Sequence, residues 1–148
     1  MKLNFILILI LSSICFQVSS QETEPFRELK NEAFKPGEKL TYRAYYQSML
    51  TGKLTAGIAT ISILEPEIVF NEREVLQISV EANSKGFFNT FFKVRNKFDS
   101  YLDRKGIFPH FFIRRTREGG YTKDDEYRFY QKENYVITRS DSVTIPDY

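Results

Sequence analysis

The chain has 148 residues, 21 lysines and arginines against 19 acidic residues, one histidine, one cysteine and no tryptophan. A formal net charge of +2 gives no footprint for a nucleic-acid phosphate backbone. One histidine and one cysteine also exclude most zinc sites and most Cys-His or Ser-His-Asp arrangements before any motif is sought.

At the N-terminus, Met1-Lys2 supplies a short positive region, and residues 5–16 form an apolar run interrupted only by Ser12 and Ser13. That run is too short to span a bilayer comfortably and has the form of the apolar segment of a signal peptide. Val18-Ser19-Ser20 offers small residues for cleavage, so residues 1–20 are expected to be removed and the mature chain to begin at Gln21. Lipidation of Cys15 is disfavoured, because Ile14 precedes it where a small residue is wanted and Phe16 follows. Removing 20 of the 148 residues leaves 128 with no cysteine and a net charge near +1, so no disulfide supports the exported domain. A chain of that length can bury one core as a single domain.

The polar lead QETEPFRELKNEAF, residues 21–34, is expected to be either disordered or a short helix. From Pro36-Gly37 onward, apolar residues recur at period two, between turns, as antiparallel strands require. In EKLTYRAYYQ, Leu40, Tyr42, Ala44 and Tyr46 share one face and Lys39, Thr41, Arg43 and Gln47 the other. Thr51-Gly52 makes the turn into LTAGIATISIL, with Gly57, Ala59, Ile61 and Ile63 on one side and Ala56, Ile58, Thr60 and Ser62 on the other. Gly57 inside a strand predicts a bulge or a close approach of another backbone. A second hairpin at Asn71-Glu72-Arg73 leads to the most regular strand, in which Leu76, Ile78, Val80 and Ala82 oppose Gln77, Ser79 and Glu81.

GFFNTFFKV, residues 86–94, breaks this rhythm. As a strand it alternates poorly; as a helix, Phe87, Phe91, Val94 and Phe98 fall at i, i+4, i+7 and i+11, with Phe88 and Phe92 alongside. The spacing predicts one short helix or helical turn within residues 85–94, with Ser84 as N-cap, linking two strands and folding over one end of the sheet. Asn89, Thr90 and Lys93 interrupt its apolar face and argue against membrane contact. It is then either a plug in the sheet's interior or a lid over a cavity, with the plug the default.

Further strands are expected at 95–103, 108–117, 121–131 and 134–139, connected at 103–106, 119–120 and 131–134. The adjacent Gly119-Gly120 is the strongest hairpin signal, since glycines tolerate the positive φ of two-residue turns. The fold expected is mainly β: an antiparallel meander of about seven short strands curling into an open barrel or half-barrel, with one short helix near 85–94.

PGEKLTY (residues 36–42), the Ala56-Gly57 pair, FDSYLD (98–103), Phe108-Pro109 and REGGY (117–121) occur in one order. Together they resemble an exported bacterial family catalogued as domain of unknown function 3108, over roughly residues 34–148. The resemblance implies an envelope β domain typical of Gram-negative cells, and it brings no catalytic residues. It also implies a longer chain, with a C-terminal part of the sheet absent here and an edge left open.

His110, flanked by Pro109 and Phe111, would have to serve any triad, and no Gly-x-Ser-x-Gly pattern is present; a structural role is expected. Asp124-Asp125-Glu126 lacks the alternate spacing of a calcium loop and is expected to be a solvated hairpin flank. Asp99 and Asp103 lie four apart on one strand face and could be imagined as a glycosidase pair, although the family resemblance implies a structural part for them, fixing the following connection. Basic residues cluster at Lys93, Arg95 and Lys97 and at Arg114, Arg115 and Arg117. They suit either an anionic lipid surface or, as expected, the wet face of a half-buried sheet.

No cofactor, metal, nucleic acid or transmembrane span of the mature chain is expected, and no enzymatic activity. Two readings of function remain. In one, Tyr42, Tyr46, Ile61, Ile78, Phe87, Phe91 and Phe112 line the concave side of an exported, periplasmic or secreted binding module for an apolar or lipid-like ligand. In the other, they are a filled core, and the domain is structural or pairs with another envelope protein.

Overall fold

The computed structural model describes residues 25–139 and 142–144. The expected signal peptide, its cleavage site and Cys15 lie outside the described residues. Nine strands follow one another: β1 Lys39–Ser48, β2 Gly52–Leu64, β3 Val69–Phe70, β4 Arg73–Ser84, β5 Arg95–Asp103, β6 Pro109–Glu118, β7 Tyr121–Tyr130, β8 Tyr135–Thr138 and β9 Ser142–Thr144. A single short helix, α1 Phe88–Phe91, interrupts them. The sheet order is β1-β2-β4-β5-β6-β7-β8-β9, every pairing is antiparallel, and β3 adds only a short hairpin onto β4. This is a meander that does not close, an open half-barrel as the alternation predicts.

Turn chemistry accounts for the connections. Asn71 and Glu72 both take positive φ, 48° and 61°, which is the two-residue turn whose twist matches the flanking strands. Glu118 pairs with Tyr121 across Gly119-Gly120, with Gly119 at φ 59°. Gly57 does both things expected of a glycine inside a strand. Ala44 faces Gly57 while Tyr45 faces Thr55, so Ala56 is the extra residue of a bulge. A Cβ on Gly57 would also sit 3.0 Å from the Asn83 carbonyl oxygen of the next strand.

Two expectations need correction. The lead is neither helical nor detached over residues 25–34: it runs extended across the 103–108 connection, where the Leu29 N–H donates to the Lys105 carbonyl (2.8 Å) and Phe26 stacks on Phe108. The expected helical turn within residues 85–94 takes only four of them, because the ladder claims both ends of the stretch, and the N-cap expectation fails. Ser84 stays in β4 opposite Gly57, and Arg95 pairs with Asn83 to start β5. Ser84 is therefore not an N-cap; that position falls on Phe87, which has no side-chain cap. The Ser84 hydroxyl instead donates to Asn89 Oδ1 (2.9 Å) and accepts from the Val94 N–H (2.9 Å), tying the loop to the strand that precedes it.

Antiparallel partners project to the same side, so the register defines two faces. Leu40, Ile61, Val80 and Phe98 form one row; Ile63, Ile78, Ser100, Phe112 and Tyr127 form the next. The opposite face carries Thr60, Glu81, Lys97 and Arg115 in one row and Ser62, Ser79, Asp99 and Ile113 in its neighbour. The strands' separately predicted apolar faces thus fall on one side of one sheet. Among the described residues the buried hydrophobic side chains are Ile63, Val75, Leu76, Phe108 and Val136. Four of the five, all but Val136, lie in or beside the end of the sheet where β4 begins and β5 stops.

Candidate functional site

That end is closed by a buried polar cluster. Asp103, the last residue of β5, is only 1% exposed. Its carboxylate accepts from Arg73 Nε and Nη2, from the backbone N–H groups of Lys105 (3.0 Å) and Gly106 (2.6 Å), and faces His110 Nε2 at 3.3 Å. Five donors around a group with about four lone-pair directions leave no capacity for a metal or a substrate. Burial by itself would raise the Asp103 carboxyl, but the Arg73 guanidinium, the Gly106 N–H and His110 outweigh it and hold the group lowered to about 2. Burial pushes His110 below its ordinary range, helped by the charge of Arg73 and opposed by Asp103, so its imidazole is neutral at pH 7.

The position of His110 follows from a second bulge. Tyr101 faces Phe111 but Leu102 faces Pro109, which leaves His110 as the extra residue. It is buried between the Phe70 ring, stacked at 5.5 Å, and the edge of Phe108 at 5.1 Å. Arg73 in turn lies over Phe26, 5.0 Å from its ring centre. His110 and Asp103 are therefore fixtures of the fold, as expected of both, and Asp103 does fix the connection that follows its strand. Asp99 is spent elsewhere, accepting from Gln77 Nε2 at 3.0 Å. Four residues along one strand place Asp99 and Asp103 roughly 13 Å apart, beyond the approximately 9.5 Å upper spacing of a glycosidase pair.

The acidic run and the second basic cluster largely cancel one another. Arg117 grips Asp124 through two nitrogens (2.6 and 2.8 Å), Arg114 binds Asp125, and Glu126 meets Arg139. In the first basic cluster, Lys97 pairs with Glu81 across the ladder at 3.5 Å, and Arg95 donates to the Val94 carbonyl at 2.6 Å. Lys97 and Glu81 lie on the wet face, as the alternation predicts, whereas Arg114 and Asp125 continue the row of Phe98 on the apolar face.

The candidate apolar residues divide into two groups. Tyr42, Tyr46, Ile61, Ile78 and Phe112 share the apolar face; Ile61, Ile78 and Phe112 are half-buried in its middle, while Tyr42 and Tyr46 stand exposed on the outermost strand. Phe98 and Phe112 stack at 6.5 Å, and Phe112 meets Tyr127 at 6.0 Å, extending the face across β5, β6 and β7. Phe87 and Phe91 do not join this interior. They pack on each other at 4.4 Å at the far end of the sheet and are 64% and 72% exposed. The plug is thereby corrected: a loop held by Ser84 and by the Lys85 N–H on the Ala56 carbonyl (2.9 Å) presents its rings outward. Phe88 turns back, edge-on to Tyr46 at 5.7 Å, and the Phe92 ring lies against Gly119.

Sequence reasoning placed Val80 on an apolar strand face but missed Phe98 and Tyr127 as its neighbours, because the register that aligns the rows was not legible. It also missed Arg73, whose partner lies 30 residues away. Among the described residues, no helix is long and apolar enough to cross a membrane, and no cluster of three or more potential metal ligands is found. Neither a curated protein nor a solved structure matches the chain. One family model, described as Protein of unknown function (DUF3108), matches residues 41–146, from β1 through β9. The buried Arg73–Asp103–His110 cluster and all of the apolar face but Leu40 thus lie within the shared region, and the chain belongs to that family.

Proposed function

We propose that this is an exported cell-envelope protein that binds an apolar or lipid-like ligand without chemically transforming it. The reading rests on one observation: a mainly apolar face that runs from Leu40 to Tyr127 across five ladders, interrupted by Ser100 and by the Arg114–Asp125 pair, with Tyr42 and Leu40 exposed at its open margin. An extended apolar surface of this kind on a soluble domain normally marks a binding site. The N-terminal apolar run supplies the export reading.

Native mass spectrometry of the protein purified from its own envelope, followed by organic extraction, tests it. A stoichiometric apolar adduct is expected, and an apolar fluorescent probe should compete for the same surface. Tyr42→Ser should weaken probe binding several-fold while the urea midpoint stays unchanged. A clean apo mass together with no probe binding would sink the reading.

A specific observation favours the second reading, a protein-interaction domain. β1 is hydrogen-bonded to β2 alone among the described residues, and all but the last of its residues are exposed. An open edge of ten residues can accept a strand from another envelope protein. A co-purifying polypeptide in the same spectra, with no lipid, would favour it.

A further inference from the structure

At the end of the sheet opposite the Arg73–Asp103–His110 cluster lie three connections: the 85–94 loop and the 119–120 turn, which touch through Phe92 and Gly119, and the 48–52 turn at the tip of the β1–β2 ribbon. Met49 and Leu50 are fully exposed at the hairpin tip, and Phe87, Phe91 and Phe92 are each more than half exposed on the loop. Hydrogen bonds hold that loop outward, the Lys85 N–H to the Ala56 carbonyl at one side and the Gly119 N–H to the Lys93 carbonyl (2.9 Å) at the other.

Positive charge predominates at this end: Lys53, Lys85, Lys93 and Arg95 lie on or beside the three connections, while Glu118, which accepts from Asn96 Nδ2 (2.6 Å), is an acid beside the 119–120 turn. Lys85 and Lys93 are exposed and make no ion pair with a described residue, while the Lys53 ammonium lies 4.0 Å over the Tyr45 ring. At the opposite end the signs interleave: Arg104 meets Glu65 and Glu74, Arg73 meets Asp103, and Lys105 meets Glu28. Apolar tips ringed by unpaired lysines fit one surface chemistry, a bilayer interface, where rings enter the acyl boundary and long cationic side chains stay at headgroup level.

We propose that this end docks on a membrane surface carrying anionic headgroups, with Met49, Leu50, Phe87 and Phe91 entering the interface and Lys53, Lys85 and Lys93 contacting the headgroups. The polar residues Asn89, Thr90 and Lys93 would spoil a helix lying flat in the interface. They do not spoil a loop tip, which needs only its outermost side chains to be apolar. The proposal is independent of the ligand reading and can fail while that one stands.

The test uses the full chain carrying Cys15→Ser and a single environment-sensitive dye, placed either at Leu50→Cys or, at the opposite end, at Lys105→Cys. Vesicles are of phosphatidylcholine alone or with about one-third phosphatidylglycerol. A blue shift is expected at position 50 with the anionic vesicles only, and none at position 105. Removing one lysine's attraction weakens binding roughly fivefold, so Lys85→Glu with Lys93→Glu should weaken it by about 25-fold or more. Phe87→Ser with Phe91→Ser should lower the partitioning without changing the urea midpoint. A silent dye at position 50, equal shifts on neutral and anionic vesicles, or equal shifts at both positions would each overturn the proposal.

Discussion

Replacing Asp103 by asparagine keeps the side chain's shape and removes its charge. Asparagine Oδ1 still accepts from the Lys105 and Gly106 N–H groups, so the 103–108 connection keeps its local bonds. The loss falls on the other oxygen, where an NH₂ group would confront Arg73 Nε and strand the guanidinium. Breaking a buried ion pair by removing one partner costs about 3–5 kcal/mol. Arg73 retains 23% side-chain exposure and can turn partly to water, which places the expected loss at the low end, about 3 kcal/mol. The acid side of the titration gives a second estimate. A carboxyl lowered from 3.8 to about 2 stores about 2 kcal/mol. That stability is present above the unfolded value near 3.8 and is lost as pH falls through about 2, because the unfolded chain binds the proton first. Urea titrations at pH 7 measure the loss directly, and an unchanged slope confirms that the unfolded state is the same. A loss below about 1 kcal/mol, or Arg73→Met and Asp103→Asn effects that simply add, would refute the claim that this pair closes the end of the sheet.

Further outcomes follow from the same packing. His110 has its folded pKa below the ordinary 6.5, so stability should fall as pH drops below 6.5 and level off once the folded imidazole also protonates; His110→Gln should remove that slope in urea midpoints measured from pH 7 to pH 5. Gly106→Ala would put a methyl 2.3 Å from the Phe108 ring and 2.8 Å from the Arg27 carbonyl oxygen, and should cost about 3 kcal/mol in thermal or urea unfolding. Phe108→Ala should cost about 3–5 kcal/mol in urea unfolding, as a fully buried ring requires, whereas Phe91→Ala at the exposed loop should cost less than about 0.5 kcal/mol. A Phe91 loss approaching that of Phe108 would mean that the loop is core after all.

Period-two alternation made the strands legible, because each needs only its own residues to declare a face. The expected strand at 95–103 is the observed β5, and Gly57 announced both the bulge and the close backbone. The aromatic loop misled for a physical reason. Four phenylalanines in six positions mimic a helical stripe, but whether such a stripe forms a helix depends on where the flanking strands pair. Ser84 and Arg95 were already committed to the ladder, leaving too few residues for more than one turn. Asp103 followed three residues later by Gly106 was readable as a side chain folding back on its own loop. That Arg73 and His110 would converge on the same carboxylate was not, since it depends on a cross-strand register and on a bulge that leaves no mark in the sequence around His110.

The same register explains why the two ends of the sheet differ so much. A sheet with one layer among its described residues buries few side chains completely, so it cannot rely on a thick apolar interior for its stability. At the β4–β5 end the rows converge on Val75, Leu76 and Phe108, and burial there makes a polar cluster worthwhile because each of its donors and acceptors is satisfied. At the opposite end β1 and β2 run on past the bulge as a two-stranded ribbon, where Ser48 pairs with Gly52 and no third strand supports them. Tyr46 on this ribbon meets Phe88, but the apolar side chains at its tip, Met49 and Leu50, are fully exposed. Met49 and Leu50 thus contribute little to folding where they stand, and this is the physical reason to look outside the domain for what they touch.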